Sequence, residues 1–337
     1  MQEFKGILIC DSFTSNAIPL SLLELLTVGH RLADATGEKL GVFVLGDKID
    51  TAAEGLFRYG VDTLYGTNDV STIEFHPELY TQVLAEVCRQ VAPSIVLFPH
   101  NDIGRDVAPR LAARLKVTIC MDCINFAIDP DRKNLVFSKP VYGGQAIAAW
   151  ATKGNCPVIV TVRARSIPPA EPWEDKQHNV VLLDIANQTP LKTKLIETVR
   201  EELKGIKMED AKIIIAGGGG IGSQEGFQML TELAEVLQAA VGVSRAPCDE
   251  GWMTKSLEIG QTGHVVSPKV YIAIGISGAL QHMAGCSGSK YIIAINKDPE
   301  AHIFSEADVG IVGDYRQILP PLISNCKKLW GQSRGAG

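Results

Sequence analysis

The residues of this chain best suited to chemistry lie in its last third. Gly217-Gly-Gly-Gly-Ile-Gly222 satisfies G-x-G-x-x-G, follows the apolar run 213–215, and precedes a helical pattern whose first turn carries Ser223 and Glu225. Positions without side chains let backbone N–H groups approach a pyrophosphate, and a helix N-terminus adds roughly half a positive charge there. The same run also serves as a tight turn, so alone the motif is weak. An NAD site calls for an acidic residue about 20 positions on, at the end of the next strand. Glu235 falls near that distance but inside the helix, while the strand ends in Val243-Ser244-Arg245. Arg245 keeps open an alternative, an NADP-dependent oxidoreductase whose guanidinium reads the 2′-phosphate.

The later strand ends add to this picture, because open parallel sheets bind ligands outside their carboxyl edge. Tyr271-Ile-Ala-Ile-Gly-Ile-Ser-Gly-Ala-Leu-Gln-His282 passes from a strand through Ser277 and Gly278 into a short helix. The run 291–295 ends in Asn296, and 309–312 ends in Gly313-Asp314. If these strands are parallel neighbours, Ser277, His282, Asn296 and Asp314 meet along one rim facing the glycine loop. Each has a plain alternative: Ser277 as a helix cap, Asn296 as a turn residue, Asp314 as the cap of the last helix. Between the two sets, Ile259-Gly-Gln-Thr-Gly263 places a glycine on either side of Gln261-Thr262. A backbone that open can press amides and a hydroxyl against a flat ring, or form a simple surface turn.

Elements that position such loops are visible along the chain. Short β-branched runs alternate with amphipathic stretches, the cadence of β-α-β units. In the first half, strands are expected at 6–10, 40–45, 94–98 and 158–162, and helices at 20–35, 77–91 and 106–115. A Pro-rich surface loop follows at 167–177, then a charged connection at 192–210. The second series comprises strands at 213–215, 240–243, 270–274, 291–295 and 309–312, with helices at 225–237 and 315–330 and a frayed tail from 332. The expectation is two α/β domains: a mostly parallel nucleotide-hydrolase-like sheet over 1–207 and a Rossmann-like domain over 208–330, followed by a flexible 331–337.

Composition limits the partners. The 337 residues are 46% hydrophobic and 21% charged, as in ordinary folded chains, and Lys+Arg 32 against Asp+Glu 38 leaves −6. That charge gives no general attraction to nucleic acid or anionic lipid. Apolar runs are of strand length, so no membrane span is expected. The N-terminus lacks a signal-type apolar region, and the eight cysteines are scattered. A cytoplasmic protein with reduced thiols and no disulfides is expected.

Several blocks resemble the electron transfer flavoprotein α-subunit family. They are Ala240-Val-Gly-Val-Ser-Arg245, Asp249-Glu-Gly-Trp252, Ile259-Gly-Gln-Thr-Gly263, Gly275-Ile-Ser-Gly-Ala-Leu-Gln-His282, Ser289-Lys290 and Ala294-Ile-Asn-Lys-Asp-Pro-Glu-Ala301. Gly104-Arg-Asp-Val-Ala-Pro-Arg-Leu-Ala-Ala-Arg114 is similar to the family's segment in the first domain. The resemblance implies a heterodimer with a β subunit that meets the first domain. It implies FAD held by the C-terminal domain, and electron transfer with acyl-CoA dehydrogenases or other flavoproteins, possible onward partners being a ferredoxin or a membrane quinone oxidoreductase. Residues matching the family's FAD contacts are Ser244, Arg245, Ile259, Gly260, Gln261, Thr262, Ser277, Gly278, Ala279, Leu280, Gln281, His282, Asn296 and Asp314. In this reading Arg245 lies near the isoalloxazine, His282 donates toward its N1/C2 carbonyl region, and Thr262 donates toward N5. Arg245 and His282 would stabilise the anionic, one-electron-reduced ring.

Two departures stand out. Gly219 occupies the position of a family arginine in the first glycine loop, which removes one cation near the cofactor, and His302 stands where a proline is usual. Cys120-Met-Asp-Cys123 is a C-x-x-C without a second pair; zinc and iron–sulfur centres need four ligands, so two core thiols are expected. Any iron–sulfur acceptor would be a separate protein, and no nucleophile–base pair for bond cleavage is evident.

Overall fold

A computed structural model describes residues 5–11, 18–45, 49, 55–67, 75–128, 135–144, 146–152, 157–172, 179–184, 190–194, 196–197, 206–208 and 211–333. The chain divides into two compact units, one of Met1–Val141 and Ile147–Thr198, the other of Tyr142–Ala146 and Val199–Gly337. Most of the expected connection at 192–210, and 173–177 of the Pro-rich loop, lie outside the described residues.

The first unit is built on strands β1 (Ile7–Cys10), β2 (Leu40–Leu45), β3 (Thr63–Thr67), β4 (Ile95–Pro99), β5 (Thr118–Cys123), β9 (Val158–Val162) and β10 (Asn179–Leu182). They pair in parallel in the order β10-β3-β2-β1-β4-β9-β5. Helices α1 (Leu20–Thr36), α2 (Pro77–Val91) and α3 (Asp102–Leu115) supply the crossovers. The residues of β1, β4 and β9 are buried throughout, as strands covered on both faces must be. Strands β6 (Asn125–Ile128), β7 (Leu135–Val141) and β8 (Ala146–Ala151) form a separate three-stranded sheet.

Helix α3 starts four residues earlier than its periodicity suggests. Asn101 caps it by accepting from the Gly104 amide at 2.9 Å, and an N-cap residue precedes the apolar repeat it serves. Gly104 lies so close under β4 that an added Cβ would sit 1.8 Å from the Pro99 carbonyl oxygen. The C-x-x-C falls at a register shift in β5, where Cys123 Sγ donates to Cys120 Sγ at 3.3 Å and both thiols are buried. Asp122 between them takes a left-handed φ of 64°. Arg163 holds it through two bonds, Nε at 2.8 Å and Nη2 at 2.6 Å.

Glu24 on α1 is 4% exposed and accepts from the Arg165 amide at 3.0 Å with each carboxylate oxygen. Burial raises its pKa to about 7, partly offset by that amide and the Arg165 charge. The folded state therefore holds this proton more tightly than the unfolded chain, and stability is lost as pH rises through the interval between the ordinary carboxylate value and about 7. Glu24→Gln keeps an acceptor for Arg165 without the charge. Its stability relative to wild type is expected to improve by up to about 3 kcal/mol between pH 5 and 8, measured by urea unfolding across that range; a pH-independent difference would contradict this.

In the second unit, β11 (Ile213–Gly217), β12 (Ala240–Val243), β13 (Val270–Ile274), β14 (Tyr291–Asn296) and β15 (Val309–Val312) form one parallel sheet in the order β12-β11-β13-β14-β15. Helices α4 (Phe227–Leu237), α5 (Arg245–Asp249), α6 (Leu280–Cys286), α7 (Ile303–Glu306) and α8 (Tyr315–Ser333) connect and cover it. Two apolar clusters occupy its faces, one around Tyr271 and Met283, the other around Phe227, Leu230 and Leu319. In this order the first strand is flanked by the second and third, which places the topological switch point at the carboxyl ends of β11 and β13.

Candidate functional site

All the loops singled out in the last third lie at the carboxyl edge of the second sheet. The parallel pairing of β11, β13, β14 and β15 makes their ends neighbours, as the rim required. At the switch point the glycine loop lies directly on the loop after β13. The Gly218 amide donates to the Ile274 carbonyl at 2.9 Å and the Gly220 amide to the Gly275 carbonyl at 2.9 Å. An added Cβ at Gly218 would sit 2.2 Å from the Gly275 oxygen, so a side chain there is excluded. Tyr315 at the start of α8 donates its hydroxyl to the Ile221 carbonyl at 3.0 Å and pins the loop from the other side.

This geometry revises the phosphate-cradle expectation for the glycine run. Amides of Gly218, Gly220, Ile221 and Gly222 are spent on carbonyls of the same unit, and α4 begins only at Phe227, after the turn 223–226. The loop is a rigid floor rather than a ring of open donors. Gly219 is its open point: an added Cβ meets only the Ala246 Cβ, at 3.4 Å.

The segment after β13 is clamped on three sides while its tip stays exposed. Gly275 donates to the Ile295 carbonyl at 2.8 Å, Asn296 Nδ2 donates to the Ile276 carbonyl at 2.9 Å, and the Ile303 amide donates to the Ser277 carbonyl at 3.0 Å. Gly278 takes a φ of 87° and packs against Ile303, where a Cβ would sit 2.3 Å from the amide nitrogen. Ser277, Ala279, Leu280 and Gln281 are exposed along this segment. Ser277 is not the cap of α6, which begins three residues later after Ala279. Asn296 is also a turn residue, accepting from the Asp298 amide at 3.1 Å, and Asp314 accepts from the Arg316 amide at 2.9 Å.

The segment 258–263 joins the same rim. Ile259 donates to the Val243 carbonyl at 2.8 Å and Gln261 to the Gln281 carbonyl at 2.7 Å, which ties the end of β12 to the start of α6. Ile259, Gly260, Gly278 and His282 are buried and shape the rim from beneath, the two glycines through their backbone, while Gln261 and Thr262 are exposed on it. Ser244 is half-buried, and its amide donates to the Gly217 carbonyl at 2.9 Å. Arg245, 70% exposed, is tethered among the described residues only to Asp249, at 3.1 Å along one turn of α5.

Two residues expected to donate toward the ring make bonds within the chain in this structure. His282 is 6% exposed; its Nδ1 lies 2.9 Å from the Ile259 carbonyl and its Nε2 2.9 Å from the Tyr271 hydroxyl. A carbonyl only accepts, so Nδ1 carries the proton and Nε2 accepts from Tyr271. Burial lowers the imidazole pKa to about 4, which leaves the ring neutral and both nitrogens engaged within the protein. Through these two bonds it links α6 to β13 and to the segment 258–263. Thr262 donates its hydroxyl proton to Glu258 Oε1 at 2.6 Å, so that proton is not aimed at a ring nitrogen. Glu258, Tyr271 and Tyr315 were not among the expected site residues: one read as a loop polar residue, the others as apolar members of a strand and a helix.

The comparisons with known proteins coincide with these elements. Residues 8–188 match the electron transfer flavoprotein domain and residues 207–287 the electron transfer flavoprotein FAD-binding domain. The electron transfer flavoprotein subunit alpha of Bacillus subtilis is 39% identical over 325 residues, covering 96% of this chain and 98% of the relative. The chain belongs to the electron transfer flavoprotein α-subunit family. It functions as such a subunit, with FAD as the cofactor of its C-terminal portion; the nicotinamide alternative is not favoured. Other relatives carry more specific names. A subunit of lactate dehydrogenase (NAD(+),ferredoxin), LctC, from Acetobacterium woodii is 33% identical over 95% of this chain and 77% of its own length. The acryloyl-CoA reductase electron transfer subunit beta of Anaerotignum propionicum is 34% identical over 90% of this chain and 91% of its own length. Among the described residues, no helix is long and apolar enough to cross a membrane.

The rim fits such a cofactor. Gly218, Gly260 and Gly278 sit where a Cβ would strike backbone, so four loops converge on one another without side chains between them. Polar groups of Thr262, Ser277, Gln281, Asn296 and Asp314 then stand along a single edge.

Proposed function

We propose that FAD lies along the carboxyl edge of the second unit's sheet, held by Gly219, Ser244, Arg245, the segments 259–262 and 277–281, Asn296 and Asp314, with His282 bracing from below. Bound there, FAD supplies the capacity to accept and release electrons singly or in pairs; the protein supplies orientation and electrostatics. Arg245, free to swing on its exposed turn, supplies positive charge toward the ring or its phosphates. Ser277 and Gln281 present hydrogen-bonding groups from a loop whose backbone is fixed on three sides. The observation that carries this reading is the set of backbone bonds joining the loops after β11, β12 and β13 into one rim.

The working assembly is a heterodimer with an electron transfer flavoprotein β subunit, formed through an N-terminal domain of residues 1–207, while residues 208–330 carry the cofactor. Its donors are flavoprotein dehydrogenases of the acyl-CoA type, and its acceptor is a separate ferredoxin or a membrane quinone oxidoreductase. Support for a bifurcating assembly comes from the two relatives named for lactate dehydrogenase (NAD(+),ferredoxin) and acryloyl-CoA reductase. The test is co-expression with the β chain, followed by absorption spectroscopy and mass spectrometry of the heat-released ligand. FAD at one or two equivalents per heterodimer is expected, two marking the bifurcating form. A flavin-free heterodimer that binds NADPH would overturn the reading.

A further inference from the structure

The two thiols of β5 have no part in the roles assigned so far. Three residues apart on a regular strand, side chains point to opposite faces and stand about 10 Å from one another. The register shift in β5 removes both obstacles. Cys120 pairs with Val160 and Cys123 with Val162, so the cysteines stand only two partner positions apart, about 6.6 Å, within the Cα separation a disulfide spans. Both enter the same apolar cluster as Val160 and Val162. Their sulfurs lie 3.3 Å apart, little more than about 1 Å from bonding distance. The bulge is pinned: Asp122 donates its amide to Thr161 Oγ1 at 2.9 Å, and Arg163 holds its carboxylate. The pair is chemically unequal. Cys123 is fully buried and donates its proton to Cys120, whereas Cys120 keeps 7% exposure on the last strand of its sheet. That donated bond, helped by the Lys139 charge, lowers the Cys120 pKa against the effect of burial, while the same bond and burial push Cys123 up. Elsewhere burial pushes Cys88 and Cys286 up to about 12. The thiolate is the reactive form, so Cys120 reacts first and Cys123 is in contact to complete the reaction.

We propose that Cys120 and Cys123 are a reversible oxidation site of this chain, converted to an intrachain disulfide by a hydroperoxide-class oxidant such as hydrogen peroxide. The Cys120 thiolate sulfur attacks the peroxide: an S–O bond forms, the O–O bond breaks, and the departing hydroxide leaves as water with the proton that Cys120 gave up. Cys120 is then a sulfenic acid. The Cys123 sulfur attacks it, the S–S bond forms, the S–O bond breaks, and hydroxide leaves as water with the Cys123 proton. Two thiols thus lose two electrons and two protons, and one peroxide takes them up as two waters. A thiol reductant reverses the change by exchange. The inference is independent of the FAD reading, because every residue it uses belongs to the first unit.

The test uses the full chain purified with its co-expressed β chain, exposed briefly to hydrogen peroxide, blocked with N-ethylmaleimide and digested with trypsin. Cleavage after Lys116 and Arg132 leaves both cysteines on one peptide. The expected product is that peptide lighter by two hydrogens and carrying no maleimide. It should form at least about tenfold faster than Cys88 or Cys286 is oxidised, and revert with dithiothreitol. Cys123→Ser is expected to stop at the sulfenic acid, trapped on Cys120 by dimedone, and Cys120→Ser to give no adduct on Cys123. A peptide that keeps both maleimides overturns the proposal. So does a Cys120 that proceeds to sulfinic acid in the wild-type chain without the disulfide, because Cys123 then fails to resolve it, or dimedone found on Cys123 of the C120S chain. Should either variant fail to fold, the wild-type peptide decides the matter by itself.

Discussion

A Gly218→Ala chain is expected to purify without colour. The added methyl group would lie 2.2 Å from the Gly275 carbonyl oxygen and 2.7 Å from the Ile276 Cα. Both are backbone atoms, so no rotamer change relieves the contact, and the two loops must separate. Separation breaks the Gly218–Ile274 and Gly220–Gly275 hydrogen bonds that hold the switch point shut. Loss of FAD affinity by at least about 100-fold, roughly 3 kcal/mol, is expected, measured by flavin fluorescence titration of the apo heterodimer. Retention within about threefold would show that the glycine loop is not part of the site. Gly219 is the contrast. A side chain there meets only the Ala246 methyl at 3.4 Å. Gly219→Arg is therefore expected to fold normally and to tighten FAD roughly three- to tenfold by restoring the cation the family pattern places there. Weaker binding would indicate that this chain has rebuilt its charge balance around the glycine.

Gly104→Ala is expected to be the most damaging single-methyl change in the first unit. Its Cβ would lie 1.8 Å from the Pro99 oxygen and 3.1 Å from the Pro99 carbonyl carbon, between the first turn of α3 and the end of β4. The helix cannot withdraw without losing the Asn101 cap and the packing of Val107, Ala108 and Leu111, all fully buried. A cost of about 4 kcal/mol is expected, at the upper end of overpacking effects. Hydrogen exchange should show lost protection in peptides spanning β4 and α3, with peptides of β11 and β13 unaffected. Native protection in β4 and α3 would contradict the steric argument.

The sequence carried much of the fold because its strongest signals are local. Runs such as 95–98, 158–160 and 271–274 are apolar throughout, and a strand covered on both faces reads that way. β3 escaped notice because Thr63-Leu-Tyr-Gly-Thr67 interleaves polar residues and a glycine. β10 carries an apolar run, Val180-Val-Leu182, but it is only four residues long, directly follows the Pro-rich polar stretch and is mostly exposed. At the rim, sequence order predicted which loops meet, since parallel pairing brings successive strand ends together. It could not predict where side chains point. His282 reads as a polar donor on a short helix at the rim, yet it turns inward because Tyr271, on the preceding strand, and the Ile259 carbonyl together satisfy both ring nitrogens. Glu258 reads as an ordinary loop acid, and only the folded path of 258–264 buries it. Such facts depend on contacts between segments, to which periodicity is blind.

The position of β9 between β4 and β5 has a consequence for how the protein is made. Val158 pairs with Ile95 on one side and Thr118 on the other, so a ribosome delivers β4 and β5 well before the strand that joins them. Until then the growing chain carries one open flank on β4 and an orphan strand in β5, both apt to pair with the wrong neighbour. The second unit's strands, from 213 to 312, extend their sheet outward from β11 as they emerge, with no such wait. The interval between synthesis of Cys123 and Val162 is thus the stretch of its biogenesis in which a holdase chaperone has most to protect.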